Sequence, residues 1–185
     1  MIGEFKMEIL TFPNELLRRT SKDVDVLNNA EKEEIKKLIP EMKELMYEAN
    51  GVGLAAPQVG IAKRFFIIDI EQQVERDEEG NVCSRTPGEL HVFINPKIYD
   101  TEGSTVCEEG CLSVPGVYEE VKRFSKLTVD YYDLGFEKKT MVAEGFMAVV
   151  IQHENDHLDG KLFIDKLPVV KRTVIKNRII KGKAF

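Results

Sequence analysis

The sequence predicts an α+β fold: mostly antiparallel sheets around a central helix, with one further helix near the N-terminus and one at the C-terminus. Three observations carry this. Helical periodicity marks residues 29–50 and reappears after Pro168. The middle of the chain, from Arg64 to Ala143, is rich in β-branched and aromatic segments. An all-apolar run, Phe146 to Ile151, leads directly into Gln152-His153-Glu154-Asn155-Asp156-His157-Leu158. At 185 residues, with no repeat, low-complexity tract or boundary, residues 1–185 read as a single domain.

Taken in order, Ile9-Leu10 reads as an extended arm, and Phe12 to Leu17 as a helical turn. Ile35, Leu38, Ile39, Met42, Leu45 and Met46 recur at three and four, the spacing of an amphipathic helix. Pro40 interrupts it, which predicts a kink or two shorter helices. Gly51 suits its end, and the small residues of Gly51 to Gly60 read as a backbone that another strand or a ligand approaches closely. Arg64 to Ile70 is a strand, Glu71 to Leu90 an exposed hairpin or loop, and His91 to Pro96 a strand stopped by its proline. Leu127 to Tyr132 and Lys138 to Ala143 alternate around Leu134-Gly135, forming a β-hairpin. Asp159-Gly160 ends the central helix. Pro168 then opens a basic helix reaching about Ile180.

A net charge of −6 gives no reason to expect DNA binding, and no window approaches the ~18 apolar residues of a membrane span. No leader peptide is evident. Cys83, Cys107 and Cys111 are an odd number, favouring reduced thiols and a cytoplasmic setting. Met1 to Lys6 reads as detachable, with Met7 as a natural start.

The chemistry centres on His153-Glu154-Asn155-Asp156-His157, an HExxH pattern. On a helix, residues four apart share a face, so both imidazoles reach one metal ion. Glu154 then stands beside that metal, where a carboxylate serves as general base of metal-assisted hydrolysis. Val150, Val149 and Phe146 fall on the face of His153 and form an apolar wall. One cysteine added to the two histidines makes three protein ligands and leaves the open position that a catalytic metal requires.

Three ordered motifs identify a resemblance. Gly51 to Gln58 matches GxGxAAxQ, Glu109 to Ser113 reads EGCLS, and Gln152 to Gly160 matches QHExDHLxG. Together they resemble the peptide deformylases over nearly the whole chain. The resemblance implies a hydrolase that removes the N-formyl group from the initiator methionine of nascent polypeptides, releasing formate. It implies one divalent metal ion per chain, Fe(2+) foremost with Zn, Ni or Co able to substitute, held by Cys111, His153 and His157. Glu154 would be the catalytic acid and base, and Gln58 with the backbone N–H of Leu112 would stabilise the oxyanion. The formyl-methionine side chain would fill a slot beside Phe146, Val149 and Val150. The peptide would pair with the backbone around Gly51 and Gly53 and around Val114 to Gly116. Glu109 and Arg123 are expected to pair and hold the cysteine loop. Where some relatives carry a peptide-contacting arginine after Pro115, this chain has Tyr118. No acidic residue follows Asp165, so the basic C-terminal helix is a candidate surface for ribosomal RNA.

Two other readings use the same residues. A zinc endopeptidase shares HExxH but needs a third ligand downstream, and no histidine follows His157. An inactive ribosome-binding module would have lost Glu154, Cys111 or Gln58, and all three are present.

Overall fold

A computed structural model describes residues 7–80 and 82–182; the readings made on Met1 to Lys6, Asn81 and Lys183 lie outside the described residues. A five-stranded antiparallel sheet runs in the order β1 (Gly53–Ala55), β2 (Phe65–Ile68), β5 (His91–Glu102), β8 (Lys126–Tyr132), β9 (Lys138–Glu144). Two hairpins stand apart from it: β3 (Gln73–Arg76) with β4 (Val82–Thr86), and β6 (Thr105–Cys111) with β7 (Val114–Arg123). The helices are α1 (Asn29–Glu48), α2 (Gly145–Leu158) and α3 (Val169–Ile180). This is the α+β arrangement expected.

The unbroken apolar run of β2 is explained by burial on both sheet faces. Phe65 and Ile67 pack with Ile35, Ile39, Met42 and Met46 of α1. Phe66 and Ile68 point the other way, into a cluster with Phe93, Leu127, Val129 and the α2 residues Ala148 and Ile151. Successive strand side chains alternate between faces, so a strand between two helices must be apolar throughout. The helix bearing HExxH is thus fixed on a buried sheet. A third cluster joins Val114, Val117 and Val121 of β7 to Leu162, Phe163 and Ile164, and to Ile175 of α3.

Two prolines sit inside elements rather than ending them. α1 runs as one helix through Pro40, not as two shorter ones. Pro40 and Lys36 are both exposed, so the carbonyl that loses its helical donor faces water. Pro96 does not stop β5. The register with β8 skips between Ile94 and Lys97, and Asn95 adopts φ 50°, so the missing N–H falls in a bulge. The Asn95 amide also exchanges two hydrogen bonds of 2.8 Å with the Val24 backbone, tying the N-terminal arm to the sheet.

β1, β6 and β7 are strands that the sequence does not mark. β1 is Gly-Leu-Ala, without β-branched residues, and β6 carries charges on its exposed face. The hairpin expected within Glu71 to Leu90 is β3–β4.

Candidate metal centre and cleft

The site forms where α2, the β6–β7 turn and the edge strand β1 meet. His153 and His157 project from one face of α2, their ring centroids 5.1 Å apart. Cys111 ends β6, and Leu112-Ser113 makes the two-residue turn into β7. One ligand atom from each of Cys111, His153 and His157 lies within 4.8 Å of the others, the only such group among the described residues. Cys107, the other cysteine in that stretch, is not brought in. Cys111 Sγ stands 3.3 Å from His157 Nε2. Tetrahedral coordination with metal–sulfur and metal–nitrogen bonds of ~2.3 and ~2.1 Å sets sulfur and nitrogen ~3.6 Å apart, so this pair already stands near the separation that a shared metal ion requires.

His153 turns its other nitrogen to Glu109, Nδ1 to Oε2 at 2.8 Å, leaving Nε2 for the metal. Glu109 is held in turn by Arg123, which donates from Nε and Nη2 at 2.7 and 2.9 Å. Arg123 Nη1 donates at 2.5 Å to Asp156 on α2, whose carboxylate also meets Lys166 at 3.2 Å. Glu109 and Arg123 are both buried, so the expected ion pair is an interior one. Burial opposes the charge on Glu109, but Arg123 and then His153 outweigh it and bring its pKa down to about 2. For His153, burial again opposes charge, while the Cys111 sulfur and the Glu109 carboxylate raise the pKa well above the usual range. His157 goes the other way, lowered first by burial and then by the nearby cations.

Glu154 has a different environment. It is buried, and its Oε2 has no hydrogen-bond partner in the protein. Burial pushes its pKa up to about 7, with His153 opposing and Glu109 adding to the rise. Gly53 makes room for it: a Cβ there would collide with Oε1 and lie 2.9 Å from Cδ. Gln58 is buried with its amide orientation fixed. Oε1 accepts from Ala55 N at 2.8 Å, while Nε2 donates to Ser113 Oγ at 3.1 Å and points toward Cys111 Sγ at 3.7 Å. The N-terminal arm clasps both pieces, Leu10 N donating to Gln58 O at 2.7 Å and Phe12 N to Ser113 O at 2.8 Å.

Cys111, His153, Glu154 and Gln58 line a cleft of about 720 Å³, which Gly51, Gly53, Val114, Gly116, Phe146, Val149 and Val150 also line, while His157 lies behind it. Phe146 is half exposed at the surface, whereas Val149 and Val150 are buried. β1 is the sheet edge. Gly51 is less open to a peptide than expected, because its carbonyl accepts from Gln72 Nε2 at 2.8 Å. Val52 O accepts from Asp69 N on the β2 side and Ala55 N turns to Gln58, so by strand alternation the N–H and C=O of Gly53 face the open side. The sequence alone did not single out Asp156, Ser113 or Gln72. Asp156 sits inside the motif, and the invariant spacing of HExxH says nothing about its partner. His91, the third histidine, lies on β5 and does not line the cleft.

Among the described residues no helix is long and apolar enough to cross a membrane. The family model described as polypeptide deformylase matches residues 6–173. "Peptide deformylase 2" of Xanthomonas axonopodis pv. citri is 40% identical over 177 residues, 96% of each chain. The crystal structure of a peptide deformylase from Legionella pneumophila is similar with TM-score 0.77 and 38% identity, over 95% of this chain and 94% of that one. That of a peptide deformylase from Synechococcus elongatus in complex with actinonin has TM-score 0.78 and 34% identity, over 99% of this chain and 90% of that one.

Proposed function

The chain belongs to the polypeptide deformylase family, and we propose that it hydrolyses the N-formyl group of formyl-methionyl peptides to formate and a free α-amine through the cleft described above. The observation that carries this is a Cys–His–His cluster with an unpartnered buried carboxylate beside it. We read residues 1–185 as one catalytic domain.

Cys111, His153 and His157 would hold the metal. When bound, a divalent ion supplies Lewis-acid polarisation of the formyl oxygen and acidifies a water molecule. Glu154 accepts the proton of the attacking water and delivers it to the nitrogen as the carbon–nitrogen bond breaks, so one carboxylate is base and then acid. Gln58 Nε2 and the Leu112 N–H donate to the oxygen on which charge develops, one such donor being worth about 3 kcal/mol. Val149, Val150 and Phe146 take the methionine side chain, and the open edge at Gly53, with Val114 and Gly116 opposite, pairs with the peptide backbone. A mixed thiolate and imidazole set suits Fe(2+), our assignment, and equally accepts Zn, Ni or Co. The thiolate's charge makes the ion a weaker Lewis acid than a third imidazole would, which suits an unhindered formyl carbon better than an internal peptide bond.

We place the enzyme in the cytoplasm, consistent with an odd number of cysteines. Its basic α3 would meet ribosomal RNA, although Lys171 and Lys176 already pair with Glu119 and Asp165. Loss of ribosome co-sedimentation with rising salt tests that contact.

The decisive experiment measures formate released from formyl-Met-Ala-Ser by protein loaded with iron(II) or nickel without oxygen. Release should stop on chelation and return with metal, and Cys111→Ser should retain neither metal nor activity. A folded, metal-loaded protein that releases no formate would overturn the assignment.

A further inference from the structure

We propose that Arg76 is a specificity-determining residue that reads acidic groups in the downstream part of the peptide, an inference that rests on the deformylase assignment. Among the described residues that line the cleft Arg76 is the only lysine or arginine, against Glu108, Glu109 and Glu154. Glu109 is already neutralised by Arg123. A second concavity of about 390 Å³ shares Asn50 and Arg76 with the cleft and adds Arg85 and Glu48, so Arg76 borders both.

Arg76 is carried there by a built attachment. Asp69 is buried and accepts from the backbone N–H groups of Glu71, Gln72 and Gly88, closing the base of the β3–β4 hairpin. Gln72 donates to Gly51 O, and Arg85 donates to Gln72 and, at 2.6 Å, to Asn50. The hairpin base is therefore locked onto the glycine segment that forms the cleft edge. Arg85 is engaged in that lock and over the Tyr47 ring. Arg76 donates to Gly80 O at 2.9 Å and forms no ion pair among the described residues, which leaves most of its guanidinium for a ligand.

The position fits the peptide. Gly53 is against Glu154, where the formyl end reacts, and Asn50, beside Arg76, is three residues back along the chain. Three residues span at most about 11 Å. A peptide leaving the site along this edge brings its third or fourth residue, or a nearby terminal carboxylate, to Arg76.

The test compares kcat/KM for formate release from formyl-Met-Ala-Xaa-Ser amides with Xaa Asp, Gln or Lys, using nickel-loaded wild type, Arg76→Gln and Arg76→Lys. The ratio between peptides does not depend on how much of a preparation is folded. Wild type should favour Asp over Lys roughly two- to five-fold, the range of an exposed ion pair. The preference should sit in KM and shrink with salt. Arg76→Gln should abolish it and Arg76→Lys should keep most of it. Equal rates in wild type, a preference for Lys set by Glu108, or a preference unchanged in Arg76→Gln would each overturn the inference. Absence of release from every peptide would instead overturn the deformylase assignment beneath it.

Discussion

Glu109 and Glu154 flank the same histidine, are buried to nearly the same extent, 5% and 4% exposed, and behave in opposite ways. Glu109 has a bidentate arginine and an imidazole N–H, and its pKa falls to about 2. Glu154 has an oxygen with no partner and a pKa raised to about 7. Burial alone therefore does not decide a carboxylate's role. A permanently charged, fully bonded carboxylate orients a ligand, whereas one left without partners is ready to exchange a proton.

The largest effect that would test this contrast is on turnover. Glu154→Gln should lower kcat by roughly a hundred- to ten-thousand-fold with metal content and fold retained, measured as formate release beside metal analysis. A variant within ten-fold of wild type would remove Glu154 from the proton path. Breaking the other side should act on stability and metal instead. Arg123→Met strands Glu109 and Asp156, and should cost about 3–5 kcal/mol in denaturant unfolding. Glu109→Gln should weaken metal retention roughly 10–100-fold in chelator competition. If Glu109→Gln changed kcat but not metal affinity, the two carboxylates would not divide the work as described.

Gly53→Ala is a smaller perturbation aimed at Glu154 through the space beside it. The added methyl forces the carboxylate aside, so kcat should drop while the unfolding midpoint moves little, seen by comparing turnover with thermal melting. Asp165 supplies a carboxylate outside both the Cys–His–His cluster and the cleft lining. Burial raises its pKa, but Lys176, the Leu162 N–H and Arg18 outweigh this and the value is lowered. A lowered folded pKa means stability that is present above the unfolded value of ~3.9 and is lost as pH falls through the folded one. Asp165→Asn should therefore cost about 1–2 kcal/mol near neutrality, and the difference from wild type should close in acid, followed by thermal melts across pH.

Much of the scaffold was legible because its causes are local. The 3.6-residue spacing of Ile35, Ile39, Met42 and Met46 specifies a helix face, and the doubly apolar β2 specifies a strand buried on both sides. Pro96 misled because a proline's effect in a strand depends on whether its missing donor falls in a bulge, which the neighbouring strand decides, and Pro40 did not divide α1 in two. The strands flanking the cleft were missed for a related reason. Gly53 and Ala55 have no intrinsic preference for extended structure, and pair only because β2 lies alongside.

By itself the sequence determined the pairing of two imidazoles with a carboxylate, since an interval of four residues on a helix fixes their common face. The family motifs added Cys111, Gln58 and Leu112. Only the tertiary structure decided that Asp156 joins Arg123, that Gln72 claims the Gly51 carbonyl, and that Asp69 and Arg85 fasten the β3–β4 hairpin beside the cleft. Each of these unites residues distant in the chain through hydrogen bonds whose strength depends on burial, and no periodicity encodes which strand ends meet.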